Sequence, residues 1–150
     1  MWNNIVDLLH HVSPALVALI GGSLILQRYF VRKANEASLI DAIIKDLESL
    51  RTDSISYWSR DTNEQDKGEL ESLAQKLISA IRALEADLKS YCKRYCPKRT
   101  DEFVQMMVDL NDTCTGGKFQ TAKRKADAGR VLPISNSISR IKSELRKQKL

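Results

Sequence analysis

Histidine is nearly absent from this chain. The two present, His10 and His11, stand side by side near the N-terminus, and none follows over the remaining residues. Everything after them therefore has no imidazole to activate a serine or cysteine nucleophile and none to ligate a metal. That excludes Ser-His-Asp and Cys-His hydrolases, histidine zinc sites and H-E-x-x-H proteases together. Strand-like alternation is absent too, as are internal repeats and low-complexity linkers, so the periodic segments are helical. No catalytic constellation, cofactor motif or metal-ligand set is found, and a non-enzymatic protein is expected.

Positive charge is missing from the first 27 residues. All 24 Lys and Arg lie at or after Arg28, and Asp7 is the one acid before it. Residues 28–117 carry 14 basic and 16 acidic side chains, a net of −2, whereas residues 118–150 carry 10 basic against Asp127 and Glu144, a net of +8. The chain thus reads as an apolar head, a balanced body and a basic C-terminal segment.

What is present instead is the run "LLHHVSPALVALIGGSLILQRYFVRK", of which residues 8–27 are 20 residues without a formal charge. As a helix these would be about 30 Å long, the thickness of a bilayer's hydrocarbon core. A cleaved export signal would place cations before the run and a small-residue cleavage site after it. Here Arg28, Arg32 and Lys33 follow it instead. The reading is a single transmembrane helix within residues 1–33, the N-terminus outside and residues 34–150 cytoplasmic at the inner membrane. Ala18 and Gly22, with Gly21 and Ser23 beside them, form a small-residue face through which two such helices could self-associate.

Periodicity predicts four helices beyond that point. Leu39, Ile43, Leu47 and Leu50 mark the first, ending near Tyr57 and Trp58. Leu70, Leu73, Leu77, Ala80, Leu84, Tyr91 and Tyr95 mark the second, which Pro97 ends; Thr62 and Gln65 could form a capping box before it. Thr100 reads as the N-cap of a third helix carrying Phe103, Met106, Met107 and Leu110, stopped by Gly116 and Gly117. Ile134, Ile138, Ile141 and Leu145 mark the last, after Pro133. The fold class is all-α: an N-terminal transmembrane helix followed by a small bundle of about four helices.

Cys92 and Cys96, in "YCKRYC", stand one helical turn apart among Lys93, Arg94, Lys98 and Arg99, a setting in which cations could make a thiol pair redox-sensitive. Their spacing, with Cys114 far off, is poor for zinc. "DTNEQDKG" has Asp66 where a calcium loop needs glycine and Ser72 where it needs glutamate. "TCTGGK" lacks the first glycine of a phosphate loop.

The basic segment is the remaining candidate surface: Lys118, Lys123, Arg124, Lys125, Arg130, Arg140, Lys142, Arg146 and Lys147. It could face anionic lipid headgroups, an acidic partner protein or nucleic acid, or balance acidic helices of the same bundle. Aromatic interleaving, which single-stranded nucleic acid would favour, is limited to Phe119.

The phrases "DLESLRTDSISYWS" at residues 46–59 and "DLNDTCTGGKFQ" at residues 109–120 resemble a group of small uncharacterised bacterial proteins with an N-terminal membrane segment. The resemblance implies no activity; it makes Trp58, Gly116 and Gly117 the first positions to test and suggests an inner-membrane accessory or defence-type context. The expected function is an adaptor that holds a protein partner at the membrane. The alternatives are a membrane-perturbing effector, homo-oligomeric through the transmembrane helix, and a membrane-tethered nucleic-acid binder.

Overall fold

The computed structural model describes residues 14–62, 67–121 and 124–149, with side chains from Gly21 onward. Four helices account for most of them: α1 Pro14–Trp58, α2 Lys67–Tyr95, α3 Thr100–Thr115 and α4 Val131–Gln148. Short 3-10 turns at Pro97–Arg99 and Ala128–Arg130 lead into α3 and α4. The all-α reading and the helical bundle hold.

The chain divides into two compact units, one ending at Ala37 and the other beginning at Ser38. In the second unit the buried residues of α1 are Ile40, Ile43, Leu47, Leu50, Ser54 and Tyr57, repeating every three or four positions. Leu70, Ala74, Leu77, Ile81, Leu84, Leu88 and Tyr91 repeat likewise along α2. Such alternation of three and four keeps one stripe of a helix turned toward its neighbours. Phe103, Met106, Met107 and Leu110 of α3, and Ile134, Ile138, Ile141 and Leu145 of α4, close the same core. Each fully buried Leu, Ile or Phe contributes about 1.5–3 kcal/mol of apolar burial, so this stripe is the main source of stability.

The helix ends differ from expectation in detail. Arg99, not Thr100, is the N-cap of α3, and the Thr100 hydroxyl donates instead to the Pro97 carbonyl at 2.9 Å. Pro133 lies inside the first turn of α4, where its missing N–H has no helical acceptor to lose. Gly116 and Gly117 do stop α3. Gly117 has φ +68°, a conformation that only glycine adopts freely, and a Cβ on Gly116 would stand 2.4 Å from the Asp112 carbonyl oxygen. Gln65 of the expected capping box lies outside the described residues.

The transmembrane helix is not supported. Among the described residues, no helix is long and apolar enough to cross a membrane. The described part of the uncharged run, residues 14–27, belongs to α1. It then continues without a break into Arg28, Arg32 and Lys33, because α1 is one helix of 45 residues through to Trp58. Counting uncharged residues registers composition; it does not register that the same helix goes on into a charged, half-buried stretch.

Candidate functional site

The densest arrangement of polar and aromatic groups gathers where α1 ends. Tyr57 and Trp58 are its last two residues, 3% and 1% exposed, with rings at 5.3 Å in an edge-to-face contact. Phe119, from the segment after α3, lies 4.9 Å from the Tyr57 ring. The Trp58 indole N–H donates to the Cys114 carbonyl at 2.9 Å, which ties the end of α1 to the end of α3. Each ring thus has apolar cover and a partner for its polar atom.

Two arginines complete this node. The Arg124 guanidinium stands 4.3 Å from the Tyr57 ring centroid and 5.1 Å from that of Trp58. It donates to the Tyr57 carbonyl at 2.8 Å. At 2% exposure it is a buried cation with no carboxylate bonded to it among the described residues. Two features compensate the charge: aromatic faces attract cations, and the C-terminus of a helix carries partial negative charge on its free carbonyls. Arg130 lies 4.3 Å from the Trp58 centroid and donates to the Thr113 carbonyl at 3.0 Å. Its guanidinium fills the space a side chain on Gly117 would occupy, 2.3 Å from the would-be Cβ.

Backbone bonds stitch the same segment down. Gln120 N–H donates to the Tyr57 hydroxyl at 2.9 Å, Asp127 N–H to the Trp58 carbonyl at 2.8 Å, and Thr62 N–H to the Arg124 carbonyl at 2.8 Å. Residues 119–121 and 124–130 are therefore a strap that caps α1 from a distance, where composition alone reads a solvated basic loop. Beside it lies a groove of about 690 Å³ walled by Tyr57, Thr62, Lys67, Leu70, Gln120 and Thr121.

The basic residues singled out in the sequence do not form one surface. Arg124 is buried and Arg130 is stacked on Trp58, as above. Arg140 is 3.9 Å from Asp109, Lys142 is bonded to Glu48, and Lys147 is 2.5 Å from Glu144. Glu48 is held below the usual carboxylate range by its hydrogen bond from Lys142, and Glu144 by those from Lys147 and Arg99. Lys118, Lys125 and Arg146 are exposed and make no ion pair among the described residues. Lys123 lies outside the described residues. Arg140, Lys142 and Lys147 thus balance acidic residues on helices of their own bundle.

Arg99, which the sequence placed only beside the cysteine pair, is a further cation of the bundle. Its guanidinium grips Glu102 through two bonds of 2.8 and 2.7 Å and reaches Glu144 on α4 at 2.7 Å. It pins the start of α3 to α4.

The three cysteines are free and buried. Cys114 accepts a long hydrogen bond from the Ser54 hydroxyl, 3.6 Å, and burial pushes its thiol up. Cys92 and Cys96 sit together at the end of α2. No group of three or more potential metal ligands occurs among the described residues. Ala18 and Gly22 lie on α1; nothing stands within 4 Å of where a Gly22 side chain would be. No family model, curated protein or solved structure matches this chain.

Proposed function

We propose that the protein is a non-enzymatic interaction protein whose α1 helix offers an apolar segment to a partner protein. One observation carries this reading. Leu24, Ile25, Leu26, Tyr29, Phe30 and Val31 are between 53% and 70% exposed, whereas among the described residues of the second unit only Val108 and Leu132 are exposed large apolar side chains. At 100° per residue these six positions surround the helix rather than occupying one stripe, and a helix apolar on all sides is normally covered on several.

The chemistry of the partner follows from the flank. Arg28, Arg32 and Lys33 adjoin the apolar segment and make its flank basic, with Lys33 at 3.5 Å from Glu36. The complementary surface is an apolar cleft in another protein, rimmed by carboxylates. The internal pairing of the α4 cations supports this reading over nucleic-acid binding, which needs cations free to displace counterions from phosphates.

The test compares the full chain with an Ile25→Asp, Phe30→Asp double variant, both isolated from the native source in mild detergent. The expected result is a second polypeptide in fixed stoichiometry with the wild type, weakened by salt and lost from a variant whose helical circular dichroism is unchanged. Sedimentation showing only copies of this chain, or a partner retained by the variant, would overturn the adaptor reading.

A further inference from the structure

We propose that Cys92 and Cys96 form a reversible dithiol–disulfide pair, a redox-sensitive point at the corner between α2 and α3. The pair stands one helical turn apart, and the Cys96 N–H still donates to the Cys92 carbonyl at 3.0 Å, so the backbone holds both residues on one face. Helical geometry then separates their Cα atoms by about 6 Å, inside the range a disulfide spans but near its upper end. Both belong to the core cluster, as does Cys114, whose sulfur accepts from the Ser54 hydroxyl instead.

The two sulfurs differ in access. Cys92 is 1% exposed and fully inside α2, whereas Cys96 is 9% exposed and has left helical geometry, with φ −141° and ψ 59°, just before Pro97. Burial, reinforced by the neighbouring Cys96 sulfur, pushes the Cys92 thiol up to about 12 and keeps it protonated at neutral pH. Reaction therefore begins at Cys96. The oxidant is a low-molecular-weight disulfide. Cys96 loses its proton and its sulfur displaces one half of that disulfide as a thiol. Cys92 then loses its proton and its sulfur displaces the other half from Cys96. The protein gains one S–S bond, the small disulfide is reduced to two thiols, and the two protons end on them. A disulfide confined to one helical turn is strained, and strained disulfides are the readily reversed ones.

The experiment incubates the folded full chain with oxidised glutathione and maps disulfides by peptide mass spectrometry, with alkylation of Cys114 as the internal gauge of unfolding. The expected result is an intramolecular Cys92–Cys96 bond, reversed by reduced glutathione, forming at least about tenfold faster than Cys114 is alkylated. Cys114→Ser should leave it unchanged, and Cys96→Ser should leave Cys92 unmodified. A Cys96–glutathione adduct that never resolves, or a cross-link that forms only as fast as Cys114 becomes reactive, would overturn the proposal.

Discussion

Residues 118–130 and helix α4 are both basic in sequence, yet the structure uses their cations in different ways. In the strap, Arg124 and Arg130 turn inward onto Tyr57 and Trp58 and bond to backbone carbonyls, with Arg130 also 3.5 Å from Asp127. On α4, Arg140, Lys142 and Lys147 meet carboxylates of α3, α1 and α4 itself, Lys142 from a part-buried position. The difference is one of solvent. Arg124, withdrawn from water at 2% exposure, needs strong, fixed partners, while the Arg140 and Lys147 side chains, 64% and 61% exposed, gain little from any one ion pair.

Breaking the strap's anchor should have the largest effect. Trp58→Ala removes the ring that both arginines face and leaves the Cys114 carbonyl without its donor; a loss of about 3–5 kcal/mol is expected in urea unfolding. Arg124→Lys should cost about 2 kcal/mol, although charge is conserved, because an ammonium cannot lie flat on two rings while bonding to the Tyr57 carbonyl. Recovery of full stability by lysine would mean that charge alone matters in the strap.

Acid should distinguish the carboxylate pairs. Glu102 is lowered chiefly by Arg99, Glu144 by Lys147 and then Arg99, and Glu48 chiefly by Lys142. Carboxyls depressed in the folded state stabilise it fully above their ordinary value of 4.5 and lose that contribution as pH falls through the lower folded values. Denaturant midpoints should therefore decline below pH 4.5, and Arg99→Met should flatten the decline. The smallest change is expected from Arg140→Ala: its partner Asp109 is 3.9 Å away and both side chains are mostly solvated, so stability should shift by no more than about 0.5 kcal/mol. A larger shift would erase the contrast with the strap.

Much of the bundle was legible in sequence because helical burial is periodic. Ile43, Leu47 and Leu50, or Ile134, Ile138 and Ile141, declare their faces by spacing, and the glycine pair after α3 declares its end. The destination of an arginine is not periodic. Nothing local separates Arg124 from Arg146; the first is buried because residue 57, distant in the chain, supplies a ring and a carbonyl. The uncharged run misled for a related reason, since its composition does not reveal that one helix carries it on to Trp58. Trp58, Gly116 and Gly117 were marked by resemblance, but their link through Arg130 appears only in three dimensions.

The end of α1 has a consequence for the order of assembly. Its final carbonyls are satisfied by Arg124 and Asp127, more than sixty residues later in the chain. Closing so long a loop carries an entropy cost that short-range helix contacts avoid. On a ribosome, Tyr57 and Trp58 therefore emerge without their partners and wait through the synthesis of α2 and α3. A chain cut short before the strap would keep three helices' worth of periodic core but leave a bare aromatic end on α1, a natural mark by which quality control could tell an unfinished copy from a finished one.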